Sequence, residues 1–183
     1  MNKNSVFSAC LILITGCAGM NPNPGERTTD LAWTSNNFEY AYDVAKPRAN
    51  AGEPWAQLRL GIFYQNGWGV EKDLARAEYW YKKAVAQKDE GNWAEGKMIG
   101  AAGKLGYFNQ NSDARIAEYN LAQLYYSEDK NLKQALEHIN NVIIESNGKA
   151  VFFCCKDQGG RYFTQEQFVD LKQKIEEKLN RKK

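Results

Sequence analysis

The segment Ala56–Ala84, AQLRLGIFYQNGWGVEKDLARAEYWYKKA, constrains the fold more than any other part of the chain. Ala56, Leu60, Gly61 and Tyr64 recur at the spacing of one α-helical face, and Leu74, Ala77, Tyr81 and Ala84 do so again beyond a turn. The GWGV between them supplies two glycines, which reach left-handed backbone angles without the clash that a Cβ brings, so the chain reverses there. The spacing predicts two antiparallel helices. A unit of this kind buries its apolar face only against a neighbour, and it points to a binding scaffold rather than an enzyme.

A second copy follows. AEYNLAQLY, Ala117 to Tyr125, overlays AQLRLGIFY, Ala56 to Tyr64, with Ala122 in place of Gly61 and, in the next helix, Ala135 in place of Ala77. The offset is 61 residues in the first helix (56 to 117) and 58 in the second (77 to 135), so the second turn is three residues shorter. That turn, SEDKNLK, has lost the glycine signature. Upstream, FEYAYDVAKPRANAG from Phe38 to Gly52 reads as the second helix of a preceding unit, which Pro47 is expected to kink or end because proline removes a helical donor.

Between the copies lies Gly91 to Gln110, with five glycines in its first sixteen residues. It reads either as a degenerate helical element with Gly96, Gly100 and Gly103 on one face or as an irregular loop, since each interior glycine costs a helix roughly 0.5–1 kcal/mol against alanine. After the second copy a short apolar run, VFFCC, precedes TQEQFVDLKQKIEEKLNRKK. Thr164 with Gln167 three residues on is a capping-box pattern, and Phe168, Leu171, Ile175 and Leu179 mark one face, so a terminal capping helix with a charged outer side is expected.

Positions 60–84 fit the pattern LGxxYxxGxGVxxDxxxAxxWYxxA at Leu60, Gly61, Tyr64, Gly67, Gly69, Val70, Asp73, Ala77, Trp80, Tyr81 and Ala84, which resembles the Sel-1-like repeat, a relative of the tetratricopeptide repeat. The resemblance implies an all-α chain: a short right-handed α/α solenoid of helix-turn-helix repeats with a C-terminal capping helix. It also implies protein binding or complex assembly, often in bacterial envelopes, and no common catalytic chemistry.

The amino terminus bears on location. Lys3 gives a positive start, and Val6 to Thr15 is apolar but too short to span a bilayer, as a secretory signal is. Ile14, Thr15, Gly16 and Cys17 then resemble the bacterial lipobox, in which cleavage after the small residue leaves a cysteine that carries lipid. This implies an acylated Cys17, whose buried methylenes at roughly 0.8 kcal/mol each hold the protein on a membrane. Ala18 rather than aspartate after the cysteine favours the outer membrane, with the domain facing the periplasm. The expected organisation is a signal at 1–16, the lipidated cysteine and a flexible tether at 17–32, repeats at 33–147, and an extended segment with the capping helix at 148–183.

In that reading Cys10 leaves with the signal and Cys17 carries lipid, so Cys154 and Cys155 are the cysteines left to the domain. Neighbouring side chains of an extended run point to opposite faces, and a bond between them closes a strained ring. A vicinal disulfide, two separately buried thiols and an intermolecular bridge or metal role remain the alternatives.

Chemistry motifs fail when tested. His138 is the single histidine, which removes a two-histidine zinc site, and in the repeat overlay it stands at the position of Trp80, a packing position. GNWAEGK, Gly91 to Lys97, has phosphate-loop spacing, but Met98 stands where a magnesium-binding hydroxyl belongs. GWGVEK lacks the third glycine of a dinucleotide fingerprint. The acid pairs Asp89 with Glu90 and Glu176 with Glu177 fall in charge-rich stretches. No metal or cofactor is expected. Removing positions 1–16 takes one of 24 basic residues and none of 22 acidic ones, so the formal charge falls from +2 to +1 and nothing argues for nucleic acid.

Because Leu60, Gly61 and Tyr64 pack the repeat core, the adjoining stripe Trp55, Arg59, Ile62 and Asn66 is expected on the inner curve, with Tyr119, Asn120, Gln123 and Tyr126 as its counterpart. These rows mix aromatic area with amide and guanidinium donors, a composition suited either to a peptide or partner loop or to covering by the 91–110 element. Three functions fit: a lipid-anchored periplasmic adaptor, an immunity protein neutralising a toxin delivered to the periplasm, and an envelope enzyme acting on polysaccharide or peptidoglycan. The adaptor fits best.

Overall fold

The computed structural model describes residues 24–87, 96–99, 105–108, 112–148, 151–154 and 161–182. In chain order these form α1 (Pro24–Thr34), α2 (Phe38–Asn50), α3 (Pro54–Asn66), α4 (Leu74–Ala86), β1 (Gly96–Ile99), β2 (Leu105–Phe108), α5 (Ser112–Ser127), α6 (Leu132–Ser146), β3 (Val151–Cys154), β4 (Arg161–Phe163) and α7 (Gln165–Arg181). Each helix packs on the next one along the chain. In addition, α3 touches α5 and α5 touches α7, so the odd-numbered helices form one layer of a short α-solenoid and the even-numbered helices the other.

The expected core is the observed one. Ala56, Leu60, Gly61, Tyr64, Ala77, Tyr81 and Ala84 are buried, as are Ala117, Leu121, Ala122, Tyr125 and Ala135. Gly61 is a helical glycine with a reason: a Cβ built there would lie 2.3 Å from Cδ1 and Cε1 of Tyr81. The missing side chain is what lets that ring lie against α3. In the second repeat the corresponding pair is Ala122 and Ile139, where the added methyl faces a smaller partner.

The two turns reach left-handed angles by different residues. In the first, Gly67 (φ 73°) caps α3 and Gly69 (φ 67°) sits so close to α2 that a Cβ would meet the Phe38 carbonyl oxygen at 2.3 Å. Asp73 then caps α4, its carboxylate accepting from the Arg76 N–H at 2.9 Å, while the Asp73 N–H returns to the Tyr64 carbonyl. In the shorter second turn Asp129 (φ 53°) and Asn131 (φ 52°) do the glycines' work, since their short polar side chains tolerate this region best among residues with a Cβ.

Three expectations need correction. The segment 17–32 is not a tether throughout, because α1 begins at Pro24 and buries Thr29, Ala32 and Trp33. Its polar first turn hides the period; the burial comes from one face only. Pro47 does not end α2, which continues to Asn50: the carbonyl it deprives of a donor is that of Asp43, and both residues lie on the exposed side, so the missing bond leaves no buried group unpaired. Gly96–Ile99 and Leu105–Phe108 are not helical but an antiparallel hairpin, Gly96 opposite Phe108 and Ile99 opposite Leu105. Glycine disfavours helix more than it disfavours a two-stranded ribbon. The apolar run after α6, expected to be extended, is one strand of a second hairpin, β3–β4, that packs on α5 and lies beside β2. The all-α solenoid stands, with two small hairpins added to it.

The terminal cap is as expected. Thr164 and Gln167 form the reciprocal capping box, and Phe168, Leu171 and Ile175 are buried against α6 while Leu179 packs at the core's edge.

Candidate functional site

The stripe expected to form an inner groove is largely filled by the chain itself. On α3, Trp55, Arg59 and Ile62 are buried. The Arg59 guanidinium donates to the Asp30 carboxylate of α1 at 2.8 Å and lies 5.7 Å over the Trp33 ring. Burial alone would lower the pKa of Arg59, but Asp30, with Asp113 and Glu26 around it, outweighs that and raises it, so the charge is retained inside. Asn66 is exposed, its amide donating to the Ile62 carbonyl. On α5, Tyr119 is buried between Phe163 and Phe168, with ring centroids 5.1 and 5.2 Å away, and Asn120 is buried beside it in sequence. Gln123 donates to the Tyr119 hydroxyl, and Tyr126 lies under the Lys178 ammonium at 4.8 Å.

Thus α1 covers the α3 half of the stripe, and β4 with α7 covers the α5 half. A mixed aromatic and amide row reads the same whether a partner or the chain's own next layer sits on it. Cys17 and Cys155, and the side chain of Cys154, lie outside the described residues, as do Asp89 and Glu90. Glu176 and Glu177 sit exposed on α7 with Lys172 and Arg181 as ion-pair partners.

An ionic centre joins the repeats. Glu78 on α4 accepts from Lys82 at 2.7 Å, from the Tyr125 hydroxyl of α5 at 2.9 Å and from Lys130 of the second turn at 3.1 Å. Partial burial would raise its pKa, but these three donors prevail and hold it at about 2. One residue away in the same turn, Asp129 meets Lys178 and Lys182 of α7, which lower its pKa. Beside it lies an open depression of about 320 Å³ lined by Asn131, Leu132, Lys133 and Leu179. The turn therefore ties α4, α5 and α7 together. The matching tyrosine of the first repeat, Tyr64, shares a hydrogen bond with Tyr42 at 2.8 Å instead; burial first, then this contact, pushes Tyr42 up to about 12.

A second carboxylate is deeper. Glu118 on α5 is buried; Oε1 lies 3.4 Å from His138 Nδ1 and accepts from Asn141 at 3.1 Å, while Oε2 has no hydrogen-bond partner among the described residues. His138 is a half-buried partner for this acid, with its ring 6.0 Å from that of Tyr125.

What sequence reasoning missed is the outer side of α4. Tyr79 is 51% exposed, its ring meets that of Trp80 at 5.1 Å, and the Lys83 ammonium stands over both. Three successive aromatics, Tyr79, Trp80 and Tyr81, of which Tyr81 alone falls on the core stripe, were the available signal.

The Sel1 repeat family model matches residues 56–89 and 115–139, which are the α3–α4 and α5–α6 units and the first residues beyond α4. The chain carries two Sel1 repeats. It is also similar to the chitin synthase regulator SKT5 of Saccharomyces cerevisiae, 42% identical over 50 residues that make up 27% of this chain and 7% of that protein. The chain thus spans a small part of that relative's length. No solved structure matches.

Proposed function

We propose that the protein is a lipid-anchored scaffold of the bacterial envelope, held through Cys17 at the outer membrane with its repeats in the periplasm, binding a protein partner and carrying out no reaction of its own. The observation that carries the scaffold reading is the pair of Sel1 repeats stacked between α1–α2 and α7, a rigid platform whose inner stripe is already packed. The lipobox at Ile14 to Cys17 supports the anchor. If Cys17 is acylated, positions 18–23 are all that separate the anchor from α1, and at about 3.5 Å per extended residue they hold it within roughly 20 Å of the membrane. The platform works at the membrane surface rather than far from it.

Metabolic labelling with radioactive palmitate tests the anchor: the wild-type chain should take up label and sediment with outer membranes, and Cys17→Ser should lose both. Label persisting in Cys17→Ser removes the proposed anchor. Cross-linking in intact cells tests the scaffold, which requires a defined protein adduct on the repeat domain.

A further inference from the structure

The outer face of α4 differs from the corresponding face of α6 in a way that the repeat fold does not require. With the offset of 58 residues that takes Ala77 to Ala135, Tyr79, Trp80 and Lys83 correspond to Glu137, His138 and Asn141. In the second repeat two of these positions serve the interior, because His138 and Asn141 both approach the buried carboxylate of Glu118. In the first repeat the residue matching Glu118 is Gln57, which is satisfied without them: its amide donates to the Ala49 carbonyl and its oxygen accepts from Gln87. Trp80 and Lys83 are released from that duty. They form instead a preorganised corner with Tyr79, the two rings at 76° to one another and the ammonium 5.0 and 5.5 Å from their centroids.

Among the described residues the exposed charges of α4 are cationic. The exposed basic residues along α4 are Arg76, Lys82 and Lys83; Arg76 pairs with Asp73 at 3.2 Å, and the lone acid on the helix, Glu78, is turned toward Lys82, Lys130 and Tyr125. Among the described residues Lys83 pairs with no carboxylate and meets rings alone. Exposed aromatic area beside a cation that meets no carboxylate among the described residues is the composition of a binding hot spot, and its complement is a carboxylate next to an apolar side chain.

We propose that Tyr79, Trp80 and Lys83 form a docking site for an acidic segment of a partner protein, one carboxylate meeting Lys83 and an apolar side chain lying on Tyr79 and Trp80. This rests on the scaffold reading and places its contact surface on the even-numbered layer, not on the inner curve.

The test uses the full chain in a mild nonionic detergent and a fluorescein-labelled peptide of repeated Glu-Glu-Leu units, read by anisotropy. The acidic peptide should bind, its Gln-Gln-Leu counterpart should bind at least about tenfold more weakly, and raising salt from about 50 to about 500 mM should loosen the complex. Tyr79→Ala and Lys83→Glu should each weaken binding about tenfold while thermal unfolding stays unchanged. Equal binding of the uncharged peptide, variants that bind like wild type, or binding to phosphatidylglycerol vesicles but not to the acidic peptide would overturn the proposal. In cells, a photo-cross-linking amino acid at position 79 should give a protein adduct that the same group at exposed position 144 does not. Adducts from position 144 alone would sink this site and leave the scaffold reading standing.

Discussion

The α3–α4 and α5–α6 units solve one packing problem with opposite allocations of bulk and charge. In the first, a glycine on α3 admits the Tyr81 ring, and the neighbouring residue, Arg59, is a buried cation paired with Asp30 of α1. In the second, Ala122 faces a helix that carries Ile139, and the residue matching Arg59 is the neutral Asn120. The first unit is closed from outside by an ion pair together with the Trp33 ring against Phe63 and Trp68, the second by the aromatic contacts of Tyr119 with Phe163 and Phe168. Repeats therefore keep a shared shape while their edges are fitted to whatever the chain lays on them.

The largest effect that could break this comparison is at the charged edge. Asp30→Ala leaves Arg59 in the interior without its bonded carboxylate, and about 3 kcal/mol of stability should go, read from urea unfolding. A loss under about 1 kcal/mol would mean that α1 is not what closes the first repeat. Next comes the glycine. Gly61→Ala forces a methyl into Tyr81 and should cost about 2 kcal/mol, whereas the double variant with Tyr81→Ile copies the second repeat's pair and should recover at least half of that. If the double variant is as unstable as the single one, the swap in bulk is not the reason for the difference.

The third test sharpens the comparison by pH. The Glu78 carboxyl is held at about 2 in the folded chain against its ordinary 4.5, so its contribution is complete above about 4.5 and disappears as pH falls toward 2. After solvent screening this amounts to roughly 1.5 kcal/mol. Glu78→Gln should flatten the acid limb of the stability curve by about that amount, while Tyr42→Phe, which alters the neutral counterpart in the first repeat, should leave the limb unchanged.

Much of this was readable in the chain. The small residues Ala56, Gly61, Ala77 and Ala84 recur at helical spacing because close helix approach demands them, and no other fold explains that period so well. The capping box at Thr164 and Gln167 was equally legible, being a local hydrogen-bond exchange. Helix α1 was not, since Pro24 to Thr34 has a polar majority and its buried face exists only because Arg59 and Phe63 lie beneath it. Nor was the hairpin at 96–108, whose pairing joins residues that no helical or alternating period marks. The stripe from Trp55 to Asn66 was located correctly on its helix, yet its occupant was not, because interface and interior use the same side chains.

The sequence by itself determined the repeat, its register and its turn geometry, all of which follow from contacts within a few residues or from a period that local geometry imposes. Tertiary structure alone decided which faces remain open. That depends on where α1, the hairpins and α7 come to rest, and on whether a buried group such as Gln57 or Glu118 draws the neighbouring side chains inward or leaves them to solvent.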